Sequence, residues 1–245
     1  MCIPQFVTID EGGITSPLSF FDDFLTSFAI DHRKDDIVNI MKQVSDELLK
    51  TSNVRTIWRA GGFNETAPVH IPPANVTSLT INNTAAAAGA ASGDIGVTLT
   101  VANAASLFND KIFIFPAEIT SLAFQDINVD VVALFNDVQS NGMTATLEPF
   151  VSEVLGRYLG VVIAHEIIHS LLGLDIPTGH NDPPIPGDLM NQGGDFSFTE
   201  ATGFKNLAST SPVDPSHFTD SGVGSIARLT PINEARMDLQ FPVNP

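Results

Sequence analysis

Residues 158–174, YLGVVIAHEIIHSLLGL, restrict the fold more than any other stretch of the chain. Wound as a helix, this segment presents Leu, Ile or Val on every side, so it has no polar face to give to water and must be buried almost all round. Apart from Tyr158 and Ser170, its only polar side chains are His165, Glu166 and His169. Burying three ionisable groups together without partners costs several kcal/mol. Something has to compensate them.

The spacing supplies a compensating partner. His165 and His169 stand four residues apart, so both imidazoles leave the same helix face about one turn apart. In that position both can ligate one metal ion of tetrahedral preference; zinc takes neutral imidazole nitrogen at about 2.0–2.1 Å. Glu166 lies about 100° further round the helix, placed to accept the proton of an attacking water and not to ligate. His-Glu-x-x-His is the pattern of zinc-dependent peptidases. The plainer alternative is a pair of core histidines satisfied by hydrogen bonds, and the Glu between them makes that arrangement costly.

The stretch 165–194, HEIIHSLLGLDIPTGHNDPPIPGDLMNQGG, resembles the metzincin clan of zinc metallopeptidases, whose pattern is HExxHxxGxxH followed by a Met-turn. His165, Glu166 and His169 match it. Leu189-Met190-Asn191, after a Pro-Gly-Asp turn, resembles the Met-turn, whose Met packs as an apolar floor beneath the metal in that clan. Two positions depart from the pattern. The family Gly falls at position 172, which is Leu here, and Gly is at 173. The third ligand falls at Asp175, and the next His is His180. Either the turn holds an insertion and His180 is the third ligand, or Asp175 takes that role, which would resemble the snapalysin-type variation. His180 is the preferred assignment, since it follows a Gly and precedes Met190 by a span that suits a returning loop; Asp175 otherwise reads as a turn residue bonded to local backbone. The resemblance implies an α+β, zincin-like fold in one catalytic domain over 1–245. Its upper lobe, 1–174, would carry a twisted mixed sheet and helices, and its lower lobe, 175–245, would be small and irregular. It also implies a zinc cofactor and a protein or peptide substrate hydrolysed with Glu166 as general base.

Composition narrows the remaining classes. The chain has 245 residues and a formal charge of −17, with Lys plus Arg only 11 against 28 Asp plus Glu. Such a surface repels polyphosphate, which argues against nucleic-acid partners. Cys2 is the single cysteine, which excludes an internal disulfide framework and Cys-rich metal sites. No EF-hand loop is present to exploit the acidity for calcium. No uninterrupted apolar run is long enough for an ordinary membrane span. The opening MCIPQFVTIDEGG has neither a basic nor an apolar signal region. The expectation is a secreted, monomeric domain cut from a longer precursor, with an intracellular location as the alternative.

Along the chain, 5–9, 54–58, 76–81, 95–101 and 111–115 read as strands, rich in β-branched and aromatic residues. Residues 35–50 read as an amphipathic helix, with Ile37, Ile40, Met41, Val44 and Leu48 on one stripe. Helices are expected at 126–139 and 147–173, and short ones near 199–208 and 232–239. The Ala/Gly stretch 85–93 reads as a loop. Glu200, and more weakly Glu234, could supply the third ligand as in a gluzincin-type peptidase. Tyr158 reads as core packing. His32, His70 and His217 read as surface residues, and Cys2 as incidental. Phe113, Phe115 and Pro116 could belong to an edge strand that pairs with extended substrate, or to a core strand. The competing class is a non-catalytic, zinc-stabilised adhesion or binding module, in which a closed four-ligand shell is expected.

Overall fold

The computed structural model describes residues 5–10, 34–50, 54–59, 76–81, 94–99, 111–126, 147–172, 180–192, 197–206 and 218–240. Five strands form one sheet: β1 (Gln5–Asp10), β2 (Val54–Arg59), β3 (Val76–Ile81), β4 (Gly96–Leu99) and β5 (Lys111–Ile114), in the order β2-β1-β3-β5-β4. β1, β2, β3 and β5 run parallel, and β4 lies antiparallel to β5 at the edge. Parallel strands are buried on both faces, and β1 shows it: Val7, Thr8 and Ile9, which alternate between the faces, are all buried.

Helix α1 (Lys34–Leu49) buries Ile37, Met41, Val44 and Leu48, the stripe its periodicity requires. Helix α2 (Pro116–Asp126) follows β5 after a single residue, Phe115. The long α3 (Leu147–Leu172) crosses the molecule and packs against α1, α2, β4 and β5. Its buried residues run from Phe150 to Leu172 with almost no exposed face, which is why its sequence lacks a polar stripe. Gly156 and Gly160 let α1 approach closely. A Cβ on Gly156 would lie 2.7 Å from Ile40 Cβ, and one on Gly160 would lie 2.7 Å from Val44 Cβ and 2.8 Å from the Met41 carbonyl oxygen.

Beyond α3 come α4 (Phe198–Thr202), a two-stranded antiparallel pair β6 (Phe204–Asn206) and β7 (Phe218–Asp220), a 3-10 turn (Val223–Ser225) and α5 (Pro231–Gln240). Arg157 of α3 joins this region to the helix. Its buried guanidinium grips both oxygens of Asp220 at 2.8 and 3.0 Å, donates to the Thr202 carbonyl at 2.8 Å and to Glu153, and lies over the Phe204 ring. Its hydrogen bonds hold the Asp220 carboxyl below the ordinary carboxylate range. Such a planar, bidentate grip is the particular use of Arg.

The structure decides one alternative left open by the sequence and differs from its expectations in two places. Of the two readings of Phe113, Phe115 and Pro116, the core strand holds for Phe113: β5 is an interior strand and β4 an edge, while Phe115 is fully buried after the strand and Pro116 opens α2. The helix α2 was not foreseen, although Pro at its first position and Glu118 in its first turn are start signals. The short helix expected near 199–208 stops at Thr202, because Gly203 turns left-handed at φ 76° and the chain continues as β6. Most of the helix expected at 126–139, and the loop at 85–93, lie outside the described residues. No helix among the described residues is long and apolar enough to cross a membrane.

The α1–α3 contact makes one strong demand on sequence. Gly160→Val drives a branched side chain into Val44 and a backbone carbonyl that cannot rotate away. Overpacking of this kind costs about 1–3 kcal/mol, so the variant is expected to melt several degrees below the parent chain in a thermal scan. Unchanged melting would show that the two helices are not held at this separation.

Candidate metal centre

His165 and His169 face the same way from α3 because they are one turn apart on an unbroken helix. His180, in the segment that returns beneath the helix end, completes a triad whose ligand nitrogens all lie within 4.8 Å of one another. His169 Nε2 sits 2.8 Å from His165 Nε2 and 3.2 Å from His180 Nε2. The His165 and His180 rings are near parallel, at 17°, and His169 stands perpendicular to both. A tetrahedral ion bonded at about 2.0–2.1 Å holds its nitrogens about 3.3–3.4 Å apart. The His169–His180 separation is already close to that spacing, and the His165–His169 pair would open by about half an ångström to take one.

The protonation pattern favours a cation. His165 Nδ1 lies 2.6 Å from the Leu189 carbonyl oxygen and must carry a hydrogen there, which leaves Nε2 as a bare lone pair aimed into the triad. A carbonyl partner behind a ligating imidazole fixes both its tautomer and its orientation. Burial holds the His165 pKa down to about 4, against the opposing pull of the Leu189 bond, and burial together with its two neighbouring imidazoles holds His169 well below its ordinary range. Both rings are neutral at pH 7, the form that ligates. One hydrogen on His169 Nε2 could only be shared between its two neighbours, whereas a cation satisfies all three nitrogens at once. The three histidines thus lie close enough to hold a metal ion, and they suit one.

Glu166 is also buried and points to the sheet edge. Thr98 of β4 donates its hydroxyl to Glu166 Oε2 at 2.7 Å and lies 3.0 Å from the Glu166 carbonyl oxygen. Gly96 makes room for the carboxylate: a Cβ there would sit 2.8 Å from both Cγ and Oε1. Burial pushes the Glu166 pKa up to about 7, the Thr98 bond pulls it down, and the charge of Asp94 adds to the rise. A carboxyl poised near neutrality can both take and return a proton.

Behind His180 the chain is tightly bonded. The Asn181 amide donates to the Met190 carbonyl at 2.9 Å, and the Asn191 side chain bonds Asn181 and both backbone groups of Ile185. Gly187 and Leu189 pair with Arg228 through backbone bonds of 2.9 and 2.8 Å, and Gly187 takes the left-handed conformation at φ 74°. Met190 is fully buried in the core.

Of the other residues weighed from sequence, Glu200 is spent elsewhere. It closes a capping box with Ser197 and accepts the Gly187 amide at 2.7 Å. Glu234 lies in α5, and neither it nor Glu200 belongs to the described metal-competent group. Tyr158 packs in the core. Asp175, Gly173, Cys2, His32, His70 and His217 lie outside the described residues. Thr98, Gly96 and the Leu189 carbonyl were not singled out in the sequence; no local pattern marks a strand residue that meets a side chain 68 positions away.

The geometry sets a direct test. The purified chain is expected to bind one equivalent of a divalent transition metal, removable by chelator, and saturation at about 100 times Kd stabilises it by about 2.7 kcal/mol. His169→Ala is expected to weaken binding by more than about 100-fold, read by competition with a chromophoric chelator. Wild-type affinity in that variant would refute the site. Comparison with protein-family models, with curated proteins and with solved structures finds no match, so the functional reading rests on the chemistry of these residues.

Proposed function

We propose that the protein is a zinc-dependent endopeptidase of metzincin-like design. The observation that carries this reading is the pairing of three convergent imidazoles with a buried carboxylate on the same helix, directly after the first of them. Three imidazole nitrogens, with no thiolate in the described group, suit zinc, with a fourth position left for water or substrate. When bound, zinc would polarise the scissile carbonyl and lower the pKa of water toward about 7.

The chain's own residues account for the rest. His165, His169 and His180 would hold the metal, and the Leu189 carbonyl would keep His165 in the ligating tautomer. Glu166 would take the proton of the attacking water and deliver it to the departing amine, a role supported by its raised pKa and by the Thr98 hydroxyl that holds it. β4 pairs only with β5 among the described strands, so its outer edge can accept an extended peptide beside Glu166. Met190 supplies the apolar floor that the family resemblance implies.

Glu166→Gln keeps the shape of the side chain and removes its basicity. Hydrolysis of a denatured, fluorescently labelled protein such as casein is expected to fall by about 10²–10⁴-fold, with zinc content unchanged. Full activity in Glu166→Gln would disprove the mechanism. A zinc-loaded wild-type chain that cleaves no peptide bond in unfolded proteins would instead favour the non-catalytic, metal-stabilised module.

A further inference from the structure

Asp188 is fully buried, yet nothing in the proposed reaction uses it. Its contacts are all with donors. Oδ1 accepts the Met190 amide at 2.6 Å; Oδ2 accepts the Thr230 amide at 3.0 Å and the Thr230 hydroxyl. Asn233 Nδ2 lies 3.2 and 3.1 Å from the two oxygens. Donors on both oxygens fix the orientation of the side chain. It also sits where helix α5 begins: Thr230 immediately precedes Pro231, and the Glu234 amide bonds the Thr230 carbonyl.

The outward ends of this network reach the metal centre along two routes. Through Met190, Asp188 fixes the turn whose Leu189 carbonyl orients His165. Through Asn233, whose second hydrogen meets Asn181 Oδ1 at 3.2 Å, it fixes the residue next to His180. Asn181 closes the circuit with its backbone bond to Met190. The Asn233 amide is itself oriented by Arg236, which donates to its Oδ1 at 2.7 Å.

We propose that Asp188, held by Thr230 and Asn233 at the start of α5, is a positioning residue that sets His165 and His180 in the geometry for binding zinc. The C-terminal helix, which bears none of the three histidine ligands, is therefore part of the metal centre. This rests on the reading of the three histidines as a zinc site and is independent of peptidase activity.

The test measures zinc affinity, not turnover. In full-length protein, Asp188→Asn removes the charge and turns an amide toward existing donors. Thr230→Val removes one donor with little change of shape, and Thr230→Ser restores it. Zinc dissociation constants come from chelator competition, the visible absorption of the cobalt-substituted protein reports ligand geometry, and melting in excess chelator reports the stability of the metal-free fold. Loss of an outer partner of a ligand typically costs 10–100-fold in metal affinity. Asp188→Asn is expected to bind zinc about 10–100-fold more weakly and Thr230→Val about tenfold more weakly, with altered cobalt spectra. Thr230→Ser is expected within about twofold of the parent chain, since it keeps the hydroxyl donor. Wild-type zinc affinity in both Asp188→Asn and Thr230→Val overturns the proposal, even where metal-free melting falls. If Asp188→Asn does not fold, the Thr230 pair decides. Failure of the parent chain itself to bind zinc would bring down the underlying reading instead.

Discussion

Three imidazole nitrogens crowded this closely inside a protein need a hydrogen or a metal ion between them, and this condition organises the structure. The crowding starts with α3, an apolar helix enclosed on nearly every side, from which His165 and His169 emerge one turn apart. Burial strips them of water and keeps them neutral. Charge neutrality alone does not make a ligand set, because a neutral imidazole can present either nitrogen. The Leu189 carbonyl decides the matter for His165, and through that bond the segment after the helix determines which atom the helix presents.

The position of α3 depends in turn on features remote from the histidines. Gly156 and Gly160 bring α1 against it, so the helix is gripped upstream of the site on one side. Arg157, one residue along from Gly156, points to the other side and ties the helix to β6 and β7. The stretch Gly156-Arg157 thus faces two structural layers at once. A buried Arg adds little net stability on its own. Its five donors, shared among Asp220, Glu153 and the Thr202 carbonyl, instead specify one arrangement of the later elements relative to the helix.

The candidate site was readable in the sequence where its chemistry is local and hidden where it is not. His165, Glu166 and His169 carry a helical spacing, and spacing within one element is visible in a linear string. His180 required a guess at the path of a loop, guided by the following Met190. Glu200 drew attention as a carboxylate at a suggestive separation, but Ser197 three residues before it is the stronger local signal, and the two close a capping box. α1 was legible from its apolar stripe, while α2 was masked by the β-like Phe-rich strand that runs into Pro116 with one residue between. Whether the strand at Phe113 lay at an edge or in the core stayed open in the sequence because strand order is a property of pairing, which composition does not encode. Thr98, Asp188 and Asn233 were invisible for the same reason: each matters through a partner dozens of residues away.

The site is held from two independent directions. The sheet edge holds Glu166: Gly96 gives it space and Thr98 gives it a hydrogen bond. The C-terminal elements hold the turn and loop behind the histidines through Asp188. These supports share no described hydrogen bond, and sites without shared partners behave nearly additively. Changes on β4 therefore act first on the carboxylate, and changes around Asp188 act first on the ligand geometry. In the proposed peptidase the first class would lower turnover at full zinc occupancy, and the second would lower occupancy itself. The separation follows from placing a proton acceptor and a ligand on adjacent positions of one helix, about 100° apart, so that each looks toward a different neighbour.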